Sequence, residues 1–155
     1  HSDVMPVFSL LIALITTLWT PTTEPPVKAT PAIITGTWKG VLTQDRGGYQ
    51  PQYHFQLKLT EKDGEIVGSS YVSVNSIYAN WQLSASFRND VLYFRETKLG
   101  RHTQMDDLYW CLKEGKLNLK MVDYQWVLYG RWTGNSELGA CVPGKIRLTK
   151  VVPQA

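Results

Sequence analysis

The sequence predicts an all-β fold: one antiparallel up-and-down barrel of about eight strands. Three observations carry this. From Gly36 onward the apolar residues recur with a period of two rather than 3.6. Turn signals such as Asp63-Gly64 and Asn89-Asp90 separate the alternating runs. No convincing amphipathic helix follows residue 36. The chain has 155 residues, 43% of them hydrophobic, enough for one domain with a real core.

The strands follow in order. "ITGTWKGVLTQ" (Ile34–Gln44) opens the first alternating run where a Pro/Thr-rich stretch ends. In "QYHFQLKLT", Tyr53, Phe55, Leu57 and Leu59 face one way, and His54, Gln56, Lys58 and Thr60 the other. "EKDGE" turns the chain and "EIVGSSYVSV" resumes it, with Gly68 allowing a bend or a close approach. "IYANWQLSASF" puts Ile77, Ala79, Trp81, Leu83, Ala85 and Phe87 on one side. "VLYFRETKL" is a strand of less clean sidedness, and Gly100–Asp106 reads as a polar loop. "LYWCLK" is expected as a strand, "KEGK" as a turn, and "LNLKMV" as the next strand. "QWVLYGRW" aligns Trp126, Leu128, Gly130 and Trp132; "TGNSELGACVPG" reads as a long loop, and "KIRLTKV" ends the series. A small antiparallel sheet must close or stack to hide its edges, and sequential hairpins favour closure over a Greek key. A barrel of about eight strands holds packed side chains or one small ligand.

Residues 1–32 are expected to be a signal peptide or anchor plus a Pro/Thr-rich linker, and residues 33–155 the barrel domain. Val7–Trp19 is an apolar run suited in length to a signal-peptide core and short for a membrane span of about 20 residues. Cleavage after Ala29 or Ala32 would release the domain. An uncleaved segment would be the chain's one route to a membrane. Export makes Cys111 and Cys141 a natural disulfide pair, the alternative being two buried thiols. Two cysteines without paired histidines give no zinc pattern, and no metal or cofactor is expected. Net charge is +3, but the basic residues are scattered rather than clustered, which argues against nucleic acid as a partner.

Gly36-Thr37-Trp38 resembles the start of the calycin barrels, the lipocalins and avidins. That resemblance implies that Trp38 closes one barrel end and that a late arginine packs over it. Arg147 is the first candidate and Arg131 the second. "GEIVGSSY" is similar to the second-hairpin strand of avidins, and "VDYQWVLYGR" to the later lipocalin motifs. Lys39-Gly40-Val41-Leu42 stand where avidins carry biotin-contacting polar residues, so biotin is not implied. The stretch from "GTWKGVLTQDRGGY" through "DLYWCLK" to "CVPGKIRL" resembles a domain of exported bacterial envelope proteins. It implies a secreted or periplasmic β-domain and brings no established activity.

No nucleophile elbow, phosphate-binding glycine loop or His-Glu-x-x-His motif is present. His54 lies on a polar strand face. His102 lies in a loop near Asp106 and Asp107. Glu96 with either aspartate is the candidate carboxylate pair of a hydrolase. The unusual feature is the aromatic content, with six Trp and eight Tyr. Tyr53, Tyr78, Trp81, Trp110 and Trp126 are the candidate ligand contacts, with "QDRGGYQPQY" and "GRHTQMDD" as rim loops. The expected function is non-catalytic: binding a carbohydrate, a cell-wall fragment or a small amphiphile. The alternatives are a structural component docked to an envelope protein and a hydrolase. Structural positions are Gly36, Trp38, Arg131 and Arg147.

Overall fold

The computed structural model describes residues 18–21 and 32–153; the expected signal or anchor segment and most of the linker lie outside them. The strands are β1 (Gly36–Thr43), β2 (Gln52–Lys62), β3 (Glu65–Val74), β4 (Ile77–Arg88), β5 (Val91–His102), β6 (Leu112–Val122), β7 (Gln125–Ser136), β8 (Gly139–Ala140) and β9 (Gly144–Lys150). No helix forms among the described residues. The order β6-β5-β4-β3-β2-β1-β9-β7 closes because β6 also pairs with β7, giving an eight-stranded antiparallel barrel. The short β8 pairs only with the end of β7.

Alternation along the strands builds the interior. Tyr53, Phe55, Leu57 and Leu59 of β2 are buried, and Ala79, Trp81 and Leu83 of β4 join them in one core cluster. Gly68 is needed for close approach: a Cβ there would sit 1.8 Å from the Lys58 carbonyl oxygen on β2. The two ends differ. At one end, two-residue turns join the strands, with Asp63/Gly64, Asn89/Asp90 and Asp123/Tyr124 all at positive φ. Paired positive φ matches the right-handed twist of the flanking strands. The other end carries the longer connections 44–51, 103–111 and 137–143.

Several segments differ from expectation. Lys113-Glu114-Gly115-Lys116 is no turn but runs through β6, with Gly115 opposite Phe94 on β5 and Trp132 on β7. The glycine serves packing, since a Cβ there would lie 2.7 Å from the Phe94 ring. Leu108–Cys111, expected as part of a strand, is loop, folded on itself by Leu108 N–H to Met105 O and Trp110 Nε1–H to Thr103 O. The end of "TGNS" extends β7 to Ser136 rather than opening a long loop. The weak sidedness of β5 has a cause: register shifts against β4 between Ala79/Trp81 and Gln82/Leu83 mark bulges.

Trp38 is fully buried beside the chain entry and donates its indole N–H to Ile34 O at 2.9 Å. The cation above it is neither expected arginine. Lys150 Nζ lies 5.3 Å from the ring centroid and donates to the carbonyls of Ile33 and Thr35. Trp38 and Lys150 are register partners across β1 and β9, whereas Arg147 pairs with Val41 and Tyr129 and is exposed. Arg131 points outward to an ion pair with Asp45 at 2.6 Å. The outward phase of both arginines on their strands removes them from the barrel end.

Candidate functional site

The loop-rich end is stitched together. Asp45 N–H donates to Pro143 O and Gln44 Nε2 to Val142 O, while the Cys111–Cys141 disulfide ties the 103–111 loop to the β8–β9 connection. Tyr53 Oη donates to Gln44 Oε1 at 2.6 Å and accepts the Gln50 N–H at 3.0 Å. Burial lifts the Tyr53 phenol above its usual 10.0; the Gln50 amide opposes this and nearby Tyr49 adds to it. Below these loops a cavity of about 70 Å³ lies among Leu42, Tyr53, Val72, Ile77, Trp110 and Trp132. That is small beside ligand sites of roughly 300–1,000 Å³, so the barrel interior is essentially filled.

Three polar residues are buried in the interior, and one of them, Lys113, lines that cavity. Ser70 Oγ donates to Glu96 Oε1 at 2.5 Å. Glu96 Oε2 takes the Lys113 ammonium at 3.0 Å and the Lys113 backbone N–H at 2.8 Å. Lys113 Nζ also donates to Cys111 O and lies 5.4 Å from the Trp81 ring centroid. The pair is thus neutralised and hydrogen-bonded, as buried charges must be. All three sit in phase with the core: Glu96 follows Leu92 and Phe94, and Ser70 precedes Val72.

The ladder between β5 and β6 covers only Val91–Arg95 and Glu114–Asn118. Beyond it the strands part, and the 103–111 loop roofs the gap. A cleft of about 350 Å³ remains there, lined by Trp81, His102, Gln104, Tyr109, Trp110 and Asn135 among others. The Trp81 indole N–H, from this same wall, is buried without a partner. A larger groove of about 1060 Å³ crosses the outer wall past Ser84, Tyr93, Glu114 and Lys116. Arg95 and Glu114 pair there at 3.3 Å, and no indole lines it. The loop end gathers the indoles of Trp81 and Trp110 instead.

Of the expected contacts, Tyr53, Trp81 and Trp110 come together at this end. Tyr78 does not: it faces outward and stacks on Tyr71, with centroids 6.1 Å apart. Trp126 sits half-buried at the opposite end, opposite Met121. His54 is exposed, and His102 Nδ1 lies 2.8 Å from Gly100 O. Asp106 and Asp107 are exposed on the loop, while both Glu96 oxygens are occupied inside. No group of three or more His, Cys, Asp or Glu forms a metal-ligand cluster among the described residues. Sequence reasoning missed Ser70, Lys113, Gln104 and Asn135. Extending the period of two through polar residues would have found Ser70; reading "KEGK" as a turn hid Lys113.

The fold and site define an eight-stranded antiparallel barrel, plugged by Trp38 at one end and cleft at its loop-rich end. No protein-family model, curated protein or solved structure matches the chain.

Proposed function

We propose that the chain is a non-catalytic binding module of an exported, calycin-like kind, holding a small ligand at its loop-rich end. The ligand classes are a carbohydrate, a cell-wall fragment or a small amphiphile. The observation that carries the reading is the cleft between β5 and β6, where Trp81 and Trp110 meet polar side chains beneath a disulfide-tied loop. Strand walls with longer loops at one end are a common build of a binding site. The burial of Glu96 against Ser70 and Lys113 favours binding over hydrolysis, because it takes that carboxylate out of the cleft lining, where Glu137 stands instead. A thermal-shift panel of glycans, cell-wall fragments and lipids on the full chain tests this. A ligand at 100 times its Kd stabilises by about 2.7 kcal/mol. No shift across the panel would refute the reading.

A second reading is docking to an envelope protein. Tyr49, Met105, Tyr109 and Leu138 are 60%, 55%, 42% and 74% exposed, all on loops of this same end. Apolar side chains gathered this way mark interaction surfaces. Leu138→Glu, outside the cleft lining, would weaken such docking while leaving small-ligand shifts intact.

A further inference from the structure

We propose that the β5–β6 cleft takes a neutral sugar, one or two rings at the end of a glycan; this rests on the binding-module reading above. Three observations select among the ligand classes.

The first is volume. The cleft, at about 350 Å³, lies at the lower end of ligand-site sizes. The neighbouring cavity among Tyr53, Trp110 and Trp132 offers only about 70 Å³. An acyl chain needs a long apolar channel, and the packed interior does not supply one. A compact ring fits where a chain does not.

The second is charge. Lys113 is the buried cation nearest the site, and Glu96 already neutralises it at 3.0 Å. The carboxylate in the cleft lining is Glu137. An anion would meet that carboxylate with no unpaired lysine or arginine in the lining to answer it. A neutral ligand avoids both costs.

The third is the mixture of surfaces. Trp81, Tyr109 and Trp110 supply aromatic area, while Gln104 and Asn135 supply side-chain amides that donate and accept in one plane. A pyranose presents the matching pair: a flat C–H face for a ring and a rim of hydroxyls for amides. The Trp81 N–H adds to this. A buried donor without a partner is costly, and a hydroxyl oxygen reaching it on slight opening of the loop would relieve that cost.

The test is calorimetric titration of the full chain with neutral disaccharides of gluco, galacto, manno and N-acetylglucosamine type. A uronic-acid disaccharide and dodecylphosphocholine are run beside them, with tryptophan fluorescence as a second readout. At least one neutral disaccharide is expected to bind and alter the fluorescence, and the charged sugar to bind at least about tenfold more weakly, a difference of about 1.4 kcal/mol. Gln104→Ala with Asn135→Ala, both exposed positions, should weaken that binding about tenfold or more at an unchanged melting temperature. Neutral-sugar binding unaffected by the double variant overturns the site. Dodecylphosphocholine binding without any sugar overturns the ligand class but leaves a binding module standing. Binding of no probe overturns both.

Discussion

Glu96 Oε2 accepts the Lys113 backbone N–H at 2.8 Å just beyond the last β5–β6 ladder pair, Arg95 with Glu114. A side-chain carboxylate thus stands in for a strand carbonyl where the strands begin to part. Its other oxygen takes the Ser70 hydroxyl, so one carboxylate links β3, β5 and β6 across the interior. The cleft exists because the strands separate there, and the strands separate without unravelling because Glu96 holds them.

That arrangement predicts strong coupling. Glu96→Gln keeps the shape but leaves the Lys113 ammonium, with a side chain 4% exposed, without its counter-charge. Breaking one half of a buried pair costs about 3–5 kcal/mol. Lys113→Met should cost a similar amount by stranding the carboxylate. The double variant should lose clearly less than the sum of the two, because it buries no charge. Urea unfolding of all four proteins measures this, and additive losses would mean that the pair is not coupled.

Tyr124 is fully exposed yet sits at φ 63°, in the left-handed region that costs a bulky residue about 1–2 kcal/mol. Its turn partner Asp123 is at φ 49°. Tyr124→Gly makes the Asp-Gly pair that such hairpin turns favour. Part of the gain is lost to the freer unfolded chain, so a net stabilisation of about 1 kcal/mol is expected. The urea midpoint should rise with an unchanged slope.

Tyr53 makes stability fall at alkaline pH. Its folded phenol ionises above the usual 10.0, chiefly because burial disfavours the phenolate. The unfolded chain therefore releases this proton first. The Tyr53 contribution is complete below pH 10.0 and is lost as pH rises through the folded value. Tyr53→Phe should be less stable near neutral pH, losing the bonds to Gln44 and Gln50, and should show a flatter alkaline decline. Urea midpoints for both proteins from about pH 8 to 11 check the sign.

The period of two made most of the barrel legible before any coordinates. It placed Phe55, Leu57, Trp81 and Leu148 inside because each strand buries one face and exposes the other. It failed where a glycine served packing rather than turning, at Gly115, and where bulges broke the register on β5. The plug was legible at Trp38 but its cation was not. Lys150 and Arg147 differ by three positions on a strand, hence by one face, and only the pairing of β1 with β9 decides which meets the ring. The cleft was legible in part, as the aromatics Trp81 and Trp110 and the rim loop "GRHTQMDD". Its location follows from where the β5–β6 ladder stops, which local sequence does not encode.

The plug and the cleft lie at opposite ends, so stability and binding should separate. Trp38→Ala removes a fully buried ring and its bond to Ile34, at a cost of about 3–5 kcal/mol. Lys150→Met keeps the stem over the ring and loses the bonds to Ile33 and Thr35. Both variants should melt earlier, and any sugar that binds the native protein should bind the folded variants with unchanged affinity. A loss of affinity at full folding would place Trp38 in the site after all.

The Cys111–Cys141 bridge should couple the two properties that Trp38 keeps apart. It closes a loop of 30 residues, so it stabilises by roughly 3–4 kcal/mol through the unfolded chain. That share would be lost wherever the bridge is removed. Its second effect is local, because Cys111 ends the loop that roofs the cleft and Cys141 belongs to the connection beyond β8. Cys111→Ser with Cys141→Ser should therefore raise amide exchange across residues 103–111 beyond the rise expected from global destabilisation. An ordered roof no longer comes free, so any ligand of the cleft must supply the ordering and its Kd should rise. Hydrogen exchange and titration at a temperature where the variant is fully folded separate the two effects. Unchanged exchange in the roof with unchanged Kd would show that the bridge acts on the unfolded chain alone.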